Sequence, residues 1–358
     1  MTFKKILDVC EKHGFVKRII NKSIDNDAVN KLVKIGPVGA LLQENLKTEW
    51  FFSMVINREN TVFLSKDSFV DTYEYGKEIC QEKLPFGIAE IKEGIDNVCG
   101  NANKLFDFDK YFMEERQLVL RTTMFVAPSK SIQFFHQWQR QRKMWWRKFS
   151  AAPGKYHLTD ISTNNGCQNV EIKAEYPWGS HLIESLMLLN DLHPKLDSQQ
   201  LQAKDGRKKV QAHHITSDIS LSSMVLNALC DAYDEVPLQN ESRSLLRLHR
   251  KLTPYKISFS IIASQAAVTE ELSQLALYLC RKLRSDHISS LLLPSATKNS
   301  LESQYRHYDQ LGIPYTVVLN ENTLKNGIAF LRSRDTTLKE QVHVSSLSEY
   351  VQQLFKNY

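Results

Sequence analysis

The sequence predicts a two-domain chain of mixed α and β structure, with a smaller α/β domain at its C-terminal end. Three observations predict this. The chain has 358 residues, which at roughly 150 residues per domain corresponds to about two domains. Hydrophobic residues make up 42% and charged residues 24%, ordinary globular values that exclude a fibre or a long disordered chain. After Thr253-Pro254, strand-like apolar runs alternate with helix-like amphipathic runs. That alternation implies a largely parallel sheet with helices on its faces.

The elements follow in order. Met1 to Lys22 carries six cations, with Phe3, Ile6, Leu7 and Cys10 at helical spacing. Two readings stay open there: a first amphipathic helix, or an organelle transit peptide in which Asp8 and Glu11 are out of place. Asn30 to Phe52 reads as helix around a Gly36-Pro37 break. Thr61 to Leu64 and Leu118 to Val126 read as strands, Ile132 to Phe149 as a helix, and Val170 to Tyr176 as an alternating strand. Pro194 to Lys209 is polar and reads as an exposed loop, and Ser222 to Ala232 as a helix.

Beyond the seam, Lys256 to Ala263 is β-rich. Thr269 opens a helix with Leu272, Leu275, Leu279 and Leu283 on one face. Ser290 to Leu293 is a buried strand, and Ser300 caps a second helix. Tyr315 to Leu319 is a strand, Asn326-Gly327 turns into Ile328 to Arg332, Gln341 to Val344 follows, and Ser346 starts a last helix.

The charge is uneven. The formal net charge is +6. Lys130, Arg140, Arg142, Lys143, Arg147 and Lys148 supply an equal charge within one stretch that holds no acid. Treated as a helix at about 100° per residue, Phe134, Phe135, Trp138, Trp145, Trp146 and Phe149 fall in one arc of about 120°. The arc is most simply core. Arg140, Lys143 and Arg147 fall opposite it, as a solvated face or a phosphate-binding ridge. Lys204, Arg207, Lys208 and Lys209 form a second basic loop with the same two readings.

The six cysteines contain no CxxC pair, a pattern of reduced, mostly buried thiols. No apolar run reaches the length of a membrane span. No phosphate-loop, dinucleotide, zinc or nucleophile-elbow motif occurs. With 13 glycines, a glycine-rich phosphate cradle is not expected. Adjacent His213 and His214 cannot share a metal.

An ordered set of short motifs runs the length of the chain. It comprises Gly36-Pro37-Val38-Gly39, Leu84-Pro85-Phe86-Gly87-Ile88-Ala89, Tyr176-Pro177-Trp178-Gly179 and Arg332-Ser333-Arg334-Asp335-Thr336-Thr337. Together they resemble the class II aminoacyl-tRNA synthetases of the glycyl type. The resemblance implies an α+β, antiparallel-sheet core over residues 1–253. An anticodon-binding-like α/β domain with a mixed sheet then covers 254–358. The catalytic residues do not carry over. Asp96, within Ile95-Asp96-Asn97-Val98, stands where the family has the arginine that grips the ATP α-phosphate; a carboxylate there repels the triphosphate. Ser220-Leu221-Ser222-Ser223 stands where a G-x-G-R motif supplies the second arginine.

Within that superfamily the chain is most similar to the branch formed by accessory subunits of mitochondrial DNA polymerase gamma. Trp145-Trp146-Arg147-Lys148-Phe149, Asp205-Gly206-Arg207-Lys208 and Leu331 to Glu340 carry that likeness. The resemblance implies a non-catalytic processivity factor in the mitochondrial matrix nucleoid, with no cofactor and no metal. It also implies two partners, the catalytic polymerase subunit and primer–template or double-stranded DNA, and no membrane. Candidate DNA contacts are Arg140, Lys143, Arg147, Lys148, Arg207 and Lys208. Candidate partner contacts are Gly327, Arg332, Arg334 and Asp335, with an internal salt-bridge network as the alternative for the charged three. Only about 20 residues separate Val98 from Leu118, too few for a dimerising four-helix insertion, so one copy per catalytic subunit is expected. An active glycyl-type synthetase and a tRNA- or RNA-binding relative are the rivals.

Overall fold

The computed structural model describes residues 2–19, 33–94, 106–112, 117–164, 166–190, 193–238, 241–294 and 299–356. Ile95-Asp96-Asn97-Val98, and much of the segment between Val98 and Leu118, lie outside these described residues. Two compact units form: Met1–Leu7 with Gly14–Ala228, and Asp8–His13 with Leu229–Tyr358.

The first unit contains α1 (Phe3–Lys12) in part, β1 (Val16–Arg18), β2 (Val33–Ile35) and α2 (Pro37–Phe51). Then come β3 (Val62–Ser65), α3 (Phe69–Ile79), β4 (Phe86–Glu93), β5 (Leu118–Val126) and α4 (Ser131–Phe149). β6 (Tyr156–Leu158), β7 (Ser162–Asn164), β8 (Cys167–Tyr176) and β9 (Gly179–Leu189) follow. A hairpin of β10 (Gln202–Asp205) and β11 (Lys208–Gln211) leads to β12 (His213–Ser220) and α5 (Leu221–Ala232). Eight strands form one sheet in the order β3-β4-β5-β12-β9-β8-β6, with β7 also on β8. All its pairs are antiparallel except β3–β4.

The Gly36-Pro37-Val38-Gly39 motif has a steric reason. Pro37 occupies the first turn of α2, where its missing N–H costs nothing. The free N–H groups of Gly36 and Val38 donate to the carbonyls of Phe15 and Gly14, both at 2.9 Å. A Cβ on Gly36 would lie 2.3 Å from the Gly14 carbonyl oxygen, and one on Gly39 2.0 Å from that of Phe15. Only glycine lets the helix start dock on that backbone.

Three expectations are corrected. In the segment expected as helix from Asn30, the described residues begin with a strand, β2, and become helix at Pro37. Pro194 to Lys209 is not an open loop: Leu196, Leu201 and Ala203 are buried, and β10 and β11 pair across Gly206-Arg207. The apolar residues that pin it are too sparse to show a period. Cys10, Cys80, Cys230 and Cys280 are reduced thiols, but Cys167 is disulfide-bonded; sequence spacing alone does not reveal such a bond.

The second unit begins with the hairpin β13 (Tyr233–Leu238) and β14 (Glu241–Leu246). It continues through β15 (Ile257–Ile261), α6 (Ala266–Ser285), β16 (Ser290–Leu291), α7 (Leu301–Gln310), β17 (Tyr315–Leu319) and α8 (Glu321–Asn326). It ends with β18 (Ile328–Ser333), β19 (Lys339–His343) and α9 (Leu347–Lys356). The sheet order is β16-β15-β17-β18-β19. β16, β15 and β17 are parallel, while β18 and β19 run antiparallel, which makes the sheet mixed. Chain length forces the reversal. A parallel crossover needs a dozen or more residues, and only residues 320–327 separate β17 from β18. The core sets Ile257, Phe259, Val317 and Leu319 against Leu272, Leu279, Leu283 and Val351. Each such burial contributes about 1.5–3 kcal/mol.

His13 belongs to this unit and is buried. Its Nε2 lies 2.8 Å from Gln310 Oε1, and its ring lies 4.9 Å from that of His307. Burial, with the neighbouring charges of His307 and Lys12, lowers its pKa to about 4 against the pull of the Gln310 hydrogen bond. A depressed histidine stays neutral in the fold while the unfolded chain takes up its proton. Stability is therefore full above the unfolded value of 6.5 and is lost as pH falls toward about 4. At about 1.4 kcal/mol per unit, His13 alone costs about 2 kcal/mol by pH 5. His307 in this unit is shifted in the same direction. Melting temperature falls between pH 7 and pH 5, and falls less in His13→Gln; an identical drop in the variant would remove His13 as a cause.

Candidate nucleic-acid and partner interfaces

α4 divides its side chains as its periodicity demands. Phe135, Trp138, Trp145, Trp146 and Phe149 are buried, so the aromatic arc is core except at Phe134, which is half-buried. Arg140, Arg147 and Lys148 are exposed and Lys143 is half-buried. No ion pair to an acid is found for any of these four among the described residues. Two cations of the basic stretch behave differently. Arg142 is 1% exposed and forms a bidentate pair with Glu184 of β9, at 2.7 and 3.2 Å. Trp146 Nε1 and Ser217 Oγ donate to the same carboxylate, at 2.6 and 2.5 Å. Lys130 lies 3.9 Å from Asp205. The ridge of Arg140, Lys143 and Arg147 thus sits on a helix anchored from behind by a buried carboxylate.

The second basic segment is the tip of the β10–β11 hairpin. Asp205 pairs with Lys208, which leaves Gly206-Arg207 as a two-residue turn. Gly206 has φ +63, as hairpin turns of this kind require. Arg207 and Lys208 are exposed. Lys204 is not spare, because it pairs with Glu82 at 2.8 Å.

The serines at the third synthetase motif are internal. Ser220, Ser222 and Ser223 are buried. Ser220 Oγ donates to Asp109 Oδ1 at 2.5 Å and accepts from the Ser223 N–H at 3.2 Å. A hydroxyl thus caps the start of α5. Arg121 and Asp218, paired bidentate across β5 and β12 at 2.6 and 2.5 Å, are both buried. Glu90 is paired with Lys195 at 3.4 Å. Burial drives His214 to the neutral form, far below the usual histidine value. Sequence reading missed these ion pairs. Their one signal is a charged residue inside a mostly apolar strand, as at Arg121 of β5.

In the second unit the four candidate partner residues divide. Gly327 is the left-handed C-cap of α8, with φ +71, as the expected turn requires. A Cβ there would also lie 2.4 Å from His343 Nε2. Arg332 is 4% exposed and bidentate to Asp309 of α7 at 3.0 and 3.1 Å. Arg334 is equally buried, donating to the carbonyls of Leu246, Leu248 and Gly312. These two guanidiniums follow the internal-network alternative: a group saturated with internal acceptors has no head left for a partner. Asp335 remains exposed, 2.8 Å from Arg334 and 3.3 Å from Arg247. Burial opposes its charge, but the two arginines hold its carboxyl below the usual range.

A mostly antiparallel eight-stranded sheet, followed by a five-stranded mixed sheet, defines the class: a class II synthetase-like core with an anticodon-binding domain. Residues 258–354 match the family model described as the anticodon binding domain. The glycine–tRNA ligase of Chlorobaculum tepidum is 24% identical over 92% of this chain and 71% of its own. The mitochondrial DNA polymerase subunit gamma-2 of Xenopus laevis is 30% identical over 88% of this chain and 80% of its own. That of Drosophila melanogaster is 34% identical over 67% and 68% respectively. The chain belongs to the DNA polymerase subunit gamma-2 family.

Proposed function

We propose that this chain is the non-catalytic accessory subunit of mitochondrial DNA polymerase gamma. It binds the catalytic subunit one to one and strengthens that enzyme's hold on primer–template DNA in the mitochondrial matrix. The observation that carries the reading is the likeness to the Xenopus laevis subunit over most of both chains. On this reading residues 1–253 are a synthetase-like body without synthetase chemistry, and 254–358 carry the polymerase contact. Gly327 serves that contact by shaping α8 and β18, and Asp335 is the candidate that faces outward. Arg332 and Arg334 position the strand.

DNA is met by Arg140, Lys143, Arg147 and Lys148 of α4 and by Arg207 and Lys208 of the hairpin. Contact with phosphates needs no base specificity. Each phosphate neutralised adds about 0.9 to the slope of log affinity against log salt. Arg140, Lys143 and Arg147 changed together to Ala lower DNA affinity and flatten that slope by up to about 3. An unchanged slope removes them from the DNA surface.

The deciding experiment is primer extension by the catalytic subunit, with and without this chain, across a salt series. Longer products with the chain support the reading, and no gain at any salt overturns it. ATP–pyrophosphate exchange with glycine tests the synthetase rival, and clear activity would favour it. Preference for folded RNA over primer–template DNA would favour the RNA-binding relative. Sedimentation as a stable homodimer at micromolar concentration would contradict the one-to-one stoichiometry.

A further inference from the structure

The first unit holds a cavity of about 490 Å³ between the end of α2 and α4, apart from the basic ridge. α2 runs straight into a π-helical turn, Phe52–Ile56, closed by the Asn57 N–H on the Phe52 carbonyl at 2.8 Å. Such wide turns are unusual and frequently mark functional sites. This one delivers Arg58 to the cavity wall.

The charges there do not balance. Arg58 lies 4.2 Å over the Trp138 ring, and its Nη1 donates to Gln141 Oε1 at 2.7 Å. Its Nη2 meets Met54 Sδ at 2.9 Å, while its Nε is buried without an acceptor. Arg142, also on the wall, donates to the same Met54 sulfur at 3.3 Å. Two guanidiniums therefore converge on one thioether, a weak acceptor. The nearby carboxylate, Glu184, is taken up by Arg142, Trp146 and Ser217. Glu59 lines the rim but forms no ion pair with Arg58, which has no carboxylate within 4.0 Å among the described residues. Burial and the like charge of Arg142 lower the Arg58 pKa to about 10, against the pull of Glu184. A half-buried cation in this state is stabilised by an incoming anion.

The rest of the wall narrows the choice of anion. Phe134, half-buried, offers an aromatic surface, and Asn57, Gln137 and Gln141 offer carboxamides that both donate and accept. The volume suits a drug-sized ligand and leaves a bare inorganic ion most of the space unfilled. We infer that this cavity binds a nucleotide, with its phosphate against the Arg58 guanidinium on the cavity wall and its base between Phe134 and the carboxamides. The site is independent of the polymerase reading, and its ligand is a free nucleotide, not a DNA strand.

Isothermal titration of the full chain with dAMP, deoxyadenosine and inorganic phosphate tests this, with tryptophan fluorescence reporting on Trp138. dAMP binds saturably and at least about tenfold more tightly than either fragment, since a charge-assisted contact and a base contact each contribute. Arg58→Gln weakens dAMP about tenfold or more at an unchanged melting temperature. Asn57→Asp does the same while keeping the cation, by adding a negative charge to the cavity wall, and it decides the matter if Arg58→Gln folds poorly. Three outcomes overturn the inference: no saturable dAMP binding up to millimolar concentration, phosphate binding as tightly as dAMP, or dAMP binding unaffected by Asn57→Asp.

Discussion

Glu184→Gln is expected to destabilise the first unit by about 3–5 kcal/mol, the cost of removing one member of a buried ion pair. Glu184 is fully buried, and its two oxygens receive four donors: two from Arg142, one from Trp146 and one from Ser217. The amide that replaces it has the same shape but one acceptor and no charge. Arg142 is then left as a buried cation beside Arg58, with Met54 Sδ as its remaining contact among those shared with the cavity. Native domains are stable by only about 5–15 kcal/mol, so the loss is a large share of the whole. A double change, Arg142→Met with Glu184→Leu, is expected to recover most of it, because apolar replacements of a buried pair are often neutral. Urea midpoints for Arg142→Met, Glu184→Leu and the double variant close the cycle, with Glu184→Gln measured beside them. A Glu184→Gln midpoint close to wild type would show that the pair is not holding α4 to the sheet. The functional consequence is indirect. α4 carries the exposed ridge, so Glu184→Gln is expected to reduce DNA affinity in step with stability, whereas the ridge variants reduce it at constant stability.

That pair also shows what a sequence reveals and where it stops. The period of α4 was legible: the aromatic arc is buried apart from half-buried Phe134, and Arg140, Arg147 and Lys148 face out. Arg142 was not distinguishable from Arg140, because its partner lies 42 positions away on β9. Strand pairing decided that contact, and a one-dimensional pattern does not encode it. The C-terminal unit was legible for most of its strands, because its elements are local and two of its helices start on a capping side chain, Ser300 for α7 and Asn320 for α8. β9 and β12 escaped the strand reading for a physical reason. Their central residues are buried on both faces, so they show no alternation, only a mixture of apolar and small polar side chains. Arg58 was invisible as a site because its meaning depends on a π-turn and on a tryptophan 80 positions away.

Asp309→Asn is the second large effect, expected to cost the C-terminal unit about 3–5 kcal/mol by the same physics. Asp309 is 1% exposed and stands between two guanidiniums. Arg332 holds it from β18 at 3.0 and 3.1 Å, and Arg243 holds it from β14 at 2.9 and 2.6 Å. One carboxylate thus ties α7 to two separate strands. Arg332 also lies 4.2 Å from the Tyr305 ring, so the aspartate fixes an aromatic contact as well. With an amide at 309, two cations are left facing each other in a partly closed space, and β18 loses its tie to α7. Hydrogen exchange is expected to speed up in β18 and β19, and the unit to melt earlier. Asp335→Ala removes an exposed carboxylate and is expected to change stability by no more than about 1 kcal/mol. The contrast bears directly on the partner surface. If Arg332 met the catalytic subunit itself, Arg332→Ala would weaken the complex while leaving the isolated chain as stable as wild type. The geometry requires the reverse order: the isolated chain loses stability first, and any loss of polymerase binding follows from a displaced strand. If Asp335 meets the catalytic subunit as proposed, Asp335→Ala weakens the complex while the isolated chain keeps its stability to within about 1 kcal/mol.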